Sequence, residues 1–121
     1  MKYILLVHHD ENVLSALPEP ELGAMRAESV QLANDLDSQH QYVDAAPLFS
    51  ASTGKCVSVR HGQARITDGP FAETREQLGG YYLINAENMD DALAIASRIP
   101  GARIGTVEVR PVMHLDGLPE K

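Results

Sequence analysis

The chain has 121 residues, a length that fits one domain with one hydrophobic core and excludes a multidomain enzyme. Hydrophobic residues make up 44% of it and charged residues 22%, a composition that excludes global disorder. The formal net charge of −7 argues against direct nucleic-acid binding, which depends on cations that neutralise phosphates. The single cysteine, Cys56, cannot form an internal disulfide bond, and we therefore expect a cytoplasmic protein.

The first predicted element is a strand over the apolar run from Tyr3 to Val7. This run is too short for the apolar part of a signal peptide and far shorter than the roughly 20 residues of a membrane-spanning helix. We therefore expect no membrane association. The run is apolar on both alternating faces, so both sides of the sheet beside it must be covered.

A helix follows from about Pro20 to Ser38, and its apolar residues recur at helical spacing. Its predicted buried stripe contains Leu22, Met25, Ser29, Leu32 and Leu36. The next short apolar segment, from Tyr42 to Phe49, is predicted to be an edge strand, because Pro47 cannot donate a hydrogen bond within a central ladder.

The second half of the chain alternates between strand and helix patterns. A hairpin is predicted over Lys55–Thr67 with its turn at His61-Gly62, followed by a strand over Gly79–Ala86 whose paired glycines indicate close backbone approach. A helix over Asn88–Arg98 and a last strand over Ala102–Val112 complete the series. The predicted buried stripe of that helix contains Met89, Ala92, Leu93, Ala96 and Ile99.

This order of elements predicts an α+β fold, a ferredoxin-like sandwich with an antiparallel sheet, two helices on one face and an inserted β-hairpin. The domain is expected to span residues 1–113, with a C-terminal tail over 114–121. Helices can cover only one face of such a sheet, whereas the first and third main strands are apolar on both faces. We therefore predict a homodimer in which a second copy covers the open face.

The most distinctive motif is Asp68-Gly69-Pro70-Phe71, which continues through Glu73 and Glu76 to Leu78-Gly79-Gly80. It resembles the DGPF family within the YCII-related group. The resemblance implies a dimeric α+β barrel, and it raises a possible link to extracytoplasmic-function sigma factors. A His-Asp pair associated with YCII-type relatives places its His on the first helix, and Pro20–Ser38 contains no His.

Two residues are candidate catalytic groups, because proton transfer needs a titratable side chain near the reacting centre. Asp68 is the preferred acid/base candidate, and the alternative is that it only organises the turn before Gly69. His8, at the end of the first strand, is the second candidate. It could share a sheet face with Asp10 if that strand continues, yet two such ligands do not make a convincing metal site, and no metal is predicted.

The predicted ligand-binding residues lie on two strands and in the motif. Glu108 and Arg110 are two positions apart, so they share one sheet face, where Arg110 could bind an anion. Tyr81 and Tyr82 must point in opposite directions, one into the core and one towards the dimer side. Phe71 is a further candidate ligand contact.

The sequence contains no phosphate-binding loop, dinucleotide fingerprint, nucleophile elbow or pair of cysteines at metal spacing, and no cofactor is predicted. The leading hypothesis is a protein that binds a small polar or aromatic metabolite in a cleft beside the dimer interface, with acid/base catalysis as an option. The competing hypothesis is a regulatory or protein-interaction module without enzymatic activity.

Overall fold

A computed structural model describes residues 1–119. Its main sheet consists of β1 (Lys2–His9), β2 (Tyr42–Pro47), β5 (Gln77–Asn85) and β6 (Gly105–Pro111). All neighbouring strands are antiparallel, and their order across the sheet is β2-β5-β1-β6. β1 and β5 are therefore the central strands and β2 is an edge strand, as the sequence predicted.

Alternation along β1 divides the sheet into two different faces. Tyr3, Leu5 and Val7 are buried on one face, whereas Ile4 and Leu6 are half-buried on the other. The register carries the same division across the sheet, because Leu5 lies opposite both Tyr82 of β5 and Val109 of β6. The core therefore lies on one side of the sheet only.

Three helices accompany the sheet: α1 (Glu11–Ser15), α2 (Glu19–Ser38) and α3 (Met89–Ala96). α2 carries Pro20 in its first turn, where a missing N–H leaves no helical hydrogen bond unmade. α3 is capped by Asn88, whose side chain accepts a hydrogen bond from the Asp91 N–H at 2.9 Å. The core on this helical side contains Tyr3, Leu5, Val7, Leu32, Leu36, Tyr82, Ile84, Ala86, Ala92, Ile95, Ala96 and Ile99.

The predicted hairpin forms a separate two-stranded sheet of β3 (Lys55–Arg60) and β4 (Gln63–Asp68). Its turn residues His61 and Gly62 have φ angles of 52° and 75°. Two successive residues with positive φ are typical of the tight turn whose twist matches that of the flanking strands. We call this hairpin, residues Lys55–Asp68, the arm.

The structure differs from the sequence prediction in the ends of several elements. β1 ends at His9, because the Asp10 carboxylate accepts the Asn12 N–H at 2.9 Å and caps α1, a helix that the sequence did not predict. The last strand begins at Gly105 rather than Ala102, since Pro100–Arg103 forms a 3₁₀ turn. The predicted tail, 114–121, contains no helix or strand up to residue 119, and its last two residues lie outside the described residues.

The predicted stripe of α3 is wrong at one position. Leu93 is half-exposed, whereas Ile95 is buried in the core. The helix is also shorter than predicted, because it ends at Ala96. The α+β fold with an antiparallel main sheet and an inserted hairpin is confirmed, and residues 1–119 contain three helices where the sequence predicted two. Within residues 1–119, no helix combines the length and apolar character needed to span a membrane.

Candidate functional site

α2 and α3 pack on one face of the main sheet, and the opposite face, which we call the open face, carries the candidate site. Register places Leu6 of β1 between Tyr81 of β5 and Glu108 of β6. Two residues earlier on β1, Ile4 lies between Leu83 of β5 and Arg110 of β6. The open face therefore presents half-buried apolar side chains on its central strands, with charged side chains beside them on β6.

His8, Glu108 and Arg110 form a contiguous cluster on the open face. The Nε2 atom of His8 lies 3.6 Å from Oε1 of Glu108. The guanidinium Nε of Arg110 donates a hydrogen bond of 2.5 Å to Oε2 of the same carboxylate. Glu108 thus stands between the other two side chains, with one oxygen directed at each.

The backbone beside His8 fixes this arrangement. Gly105 lies opposite His9 where β6 begins, and a Cβ atom there would overlap the carbonyl oxygen of His8. The absence of a side chain at Gly105 allows β6 to approach β1 this closely. Residue alternation along β6 then brings Glu108 and Arg110 onto the face that carries His8.

The electrostatics of the cluster depend on Glu108. The hydrogen bond from Arg110 is the main cause that lowers its pKa, and the positive charges of Arg110 and protonated His8 add to the effect. Glu108 therefore remains a carboxylate at neutral pH. The carboxylate lies beside the His8 imidazole and can orient its ring, which suits a group that accepts and returns a proton.

A second polar pair lies on the other side of the apolar residues. The Tyr81 hydroxyl donates a 2.7 Å hydrogen bond to Oδ2 of Asp44 on β2, and this bond is the main cause that raises the Tyr81 pKa. Sequence reasoning did not select Asp44. The available signal was that Asp44 is the only acidic residue in the otherwise apolar and aromatic segment Tyr42–Phe49.

Tyr82 points to the helical side of the sheet, as the alternation with Tyr81 requires. It is buried in the core, and its hydroxyl donates a 2.9 Å hydrogen bond to the carbonyl oxygen of Ser29 on α2. Burial is the main cause that raises the Tyr82 pKa. The structure therefore does not bring Tyr82 to the open face with the other candidate ligand-binding residues.

Asp68 and Phe71 also lie apart from the open-face cluster. Asp68 ends β4 in the arm, where its carboxylate accepts a 2.5 Å hydrogen bond from Nζ of Lys55, the residue opposite it in the hairpin. Both side chains of this pair are largely exposed. Phe71 follows in the loop before β5 and is almost fully exposed. Asp68 is thus held in an exposed cross-strand ion pair, away from the other acid/base candidate, His8.

Within the described residues 1–119, no group of three or more His, Cys, Asp or Glu side chains is arranged to hold a metal ion. The combination of His8 and Asp10 that the sequence allowed does not form on one strand, because Asp10 serves as the cap of α1.

A shallow groove of about 640 Å³ lies at the opposite end of the sheet from His8. Its lining includes Met1, Gln41 and Asp91. The polar groups there already bond to one another, since the N-terminal ammonium donates to the Ala86 carbonyl and the Gln41 amide to the Asp91 carboxylate. None of the sequence-predicted site residues lines this groove, so the open face remains the better candidate.

Comparisons with known proteins agree with this fold. Residues 1–116 match the YCII-related domain family. An uncharacterized protein of Rhizobium meliloti (strain 1021) is 36% identical over 121 residues, covering 93% of this chain and 92% of that protein.

Among solved structures, the chain resembles 5-chloro-2-hydroxyhydroquinone dehydrochlorinase from Burkholderia phenoliruptrix AC1100, in complex with 2,5-dihydroxybenzoquinone. The TM-score is 0.58 and the sequence identity 13%, with 94% of this chain and 95% of that chain covered. This likeness shows a shared fold. The family match over residues 1–116 and the similarity to the rhizobial protein show that the chain belongs to the YCII-related domain family.

Proposed function

We propose that this protein, as a DGPF-type member of the YCII-related family, binds a small polar or aromatic metabolite on its open face. The observation that carries the proposal is the cluster of His8, Glu108 and Arg110 next to half-buried apolar side chains on the face opposite the core. Binding sites for small molecules commonly combine an apolar surface with a few convergent polar groups.

The side chains of the open face define the ligand chemistry. Ile4, Leu6 and Leu83 offer an apolar floor that a planar ring can cover. Arg110 offers a cation for a carboxylate or phenolate, and the Tyr81–Asp44 pair offers polar contacts on the opposite side. A hydroxylated aromatic ring with an acidic group would fit this site, because its ring can cover the apolar floor and its polar groups can contact Arg110 and the Tyr81–Asp44 pair. The ligand in the structural neighbour named above, 2,5-dihydroxybenzoquinone, is likewise a planar ring with acidic hydroxyl groups.

His8 is the proposed acid/base residue, in preference to Asp68. An imidazole can both accept and donate a proton, and the Glu108 carboxylate lies 3.6 Å from Nε2 of His8, where it can orient the ring. Asp68 lacks such a position, because it is paired with Lys55 in the exposed arm. Arg110 is proposed to keep Glu108 ionised and to bind the anionic group of the ligand.

The site is further proposed to lie between two copies of the chain. A cleft needs a second wall, whereas the open face is a sheet surface whose central apolar residues are only half-buried. A second copy stacked on this face would supply that wall and remove the apolar side chains from water. The expected assembly is a homodimer with two-fold symmetry.

The test is calorimetric titration of the purified protein with catechol, hydroquinone, 2,5-dihydroxybenzoate and 2,5-dihydroxybenzoquinone, followed by spectroscopic assay of any ring that binds. We expect at least one of these probes to bind with a dissociation constant below about 1 mM, which corresponds to about −4 kcal/mol. His8→Gln should then lower any turnover by about 10²–10⁴-fold, the usual contribution of a general acid or base.

His114→Gln is the matched control, because His114 is exposed and lies beyond β6. It should leave binding and turnover unchanged. Equal behaviour of the two His variants would contradict the role of His8. Failure of every probe to bind would contradict the metabolite site and leave the regulatory module, with a sigma factor as the partner to test, as the better hypothesis.

A further inference from the structure

The arm presents a second uncovered apolar surface. Cross-strand register pairs Val57 with Ile66 and Val59 with Ala64 on one of its faces. On that face Val57, Val59 and Ile66 are 68%, 59% and 68% exposed. An isolated two-stranded hairpin is at best marginally stable in water, and it needs another surface to cover its apolar side. The arm therefore has the composition of a docking element.

The segments that join the arm to the main sheet add to this surface. The chain contains two phenylalanines, Phe49 before the arm and Phe71 after it, and they are 91% and 95% exposed. Phenylalanine is normally among the residues most often buried, and exposed aromatic residues are typical of protein interfaces. Both phenylalanines of the chain thus lie uncovered at the base of the arm.

The arm also differs in charge from the rest of the chain. Lys55, Arg60 and Arg65 against Asp68 give it a formal charge of +2. The whole chain has a charge of −7, so the residues outside the arm sum to −9. Arg60 and Arg65 lie on the face of the arm opposite Val57 and Ile66, and Lys55 pairs with Asp68 on the apolar face. Between two acidic chains, a contact of an arm with the body of the other copy brings together opposite net charges, whereas a contact of two bodies brings together like charges.

The open face offers a limited area to a dimer. Its four strands contain six to nine residues each. With strands about 4.8 Å apart and a rise of about 3.4 Å per residue, its projected area is roughly 450 Å². A stable interface buries about 800 Å² of accessible surface on each partner, and further apolar surface beside the face would help to reach that value. The arm and its two phenylalanines are uncovered apolar surface of the kind required.

We propose that the arm of each copy packs its Val57–Val59–Ile66 face, together with Phe71, against the second copy at the border of the open face, so that each cleft is closed by the other copy's arm. This inference rests on the proposed function, because it assumes the open-face cleft and its homodimer. The arm joins the sheet between the end of β2 at Pro47 and the start of β5 at Gln77, the end of the sheet where β1 places His8.

The test compares dimer dissociation constants by sedimentation analysis for the full chain and two variants. The double variant Val57→Ser/Ile66→Ser should weaken dimerisation by at least tenfold. Phe71→Ser should weaken it at least threefold, and because Phe71 lies outside both arm strands, this variant keeps the hairpin intact. Val30→Ser is the matched control, since Val30 is a comparably exposed valine on α2, and it should leave dimerisation unchanged.

Amide hydrogen exchange gives an independent readout. The amides of Val57 and Ile66 should exchange at least tenfold more slowly at a concentration where the wild type is dimeric than in dilute solution. Unchanged dimerisation in both arm variants would overturn the inference, as would concentration-independent exchange in the arm. Loss of ligand binding on His8→Gln without any effect of the arm variants on dimerisation would overturn the arm inference and retain the proposed function.

Discussion

Glu108 is the residue through which the charges of the open face interact. Its carboxylate contacts the Arg110 guanidinium with one oxygen and approaches the His8 imidazole with the other. Neither neighbour is adjacent in sequence to Glu108, and the contacts depend on residue alternation along β6 and on the register with β1. The charges of this cluster are therefore coupled, and a substitution of Arg110 should change the pKa of Glu108.

We predict that Arg110→Gln raises the pKa of Glu108 towards its ordinary value of 4.5, because the hydrogen bond from Arg110 is the main cause that lowers it. In the wild type, the lowered pKa stabilises the fold above the unfolded pKa, and this contribution is lost as pH falls through the folded pKa. The variant should lose most of this contribution, so its stability should fall less steeply below about pH 4.5. Carboxyl chemical shifts followed by NMR during acid titration measure the change.

Arg103→Gln is the control for this titration. Arg103 donates two hydrogen bonds to Glu28 on α2, and these lower the Glu28 pKa in the same way. The control should raise the pKa of Glu28 and leave that of Glu108 unaltered. A Glu108 pKa that stays low in Arg110→Gln would show that another group holds the carboxylate ionised.

At the scale of the element, α3 shows how packing selects the buried face of a helix. Ala92, Ile95 and Ala96 contact the core, and Leu93 is turned towards solvent. We predict that Ile95→Ala lowers the free energy of unfolding by about 2–5 kcal/mol, because it leaves a cavity in the core. Leu93→Ala should change it by less than about 1 kcal/mol. Urea unfolding of both variants measures the difference, and equal losses would contradict the position of this helix.

The same helix shows where sequence reasoning reaches its limit. From Ala92 to Ala96 every residue is apolar, so periodicity alone does not choose between Leu93 and Ile95 for the core. The strands and α2 were predictable, because their apolar residues recur at distinct spacings. α1 was not, because a five-residue helix has no apolar stripe and depends on the Asp10 cap.

The sequence predicts those parts of the candidate site that depend on the alternation of side chains between the two faces of a strand. The shared face of Glu108 and Arg110 and the opposite directions of Tyr81 and Tyr82 follow from the two-residue period of a strand. The Tyr81–Asp44 pair required the register between β2 and β5, which contains an irregularity between Tyr42 and Asp44. The Lys55–Asp68 pair could have been read from the predicted hairpin turn, since that turn places the two residues opposite each other.

At the scale of the whole molecule, the chain forms one buried core on the helical side of its sheet and leaves two apolar surfaces without cover. One is the open face, and the other is the apolar side of the arm with the neighbouring phenylalanines. A helix layer on both sides would need more helical chain than a domain of this size contains. The homodimer proposed above would cover both surfaces with the residues available.

We predict that the unfolding temperature rises with protein concentration, because association of folded chains stabilises them by mass action while unfolded chains do not associate. For a dimer, a 100-fold increase in concentration should add about 1.4 kcal/mol of stability per chain. Differential scanning calorimetry over this range measures the effect. Leu6→Asp, which places a charge on the open face, should reduce the concentration dependence, whereas Val13→Asp on α1 should retain it. A wild-type unfolding temperature independent of concentration would contradict the dimer, because a monomer's folding equilibrium contains no concentration term.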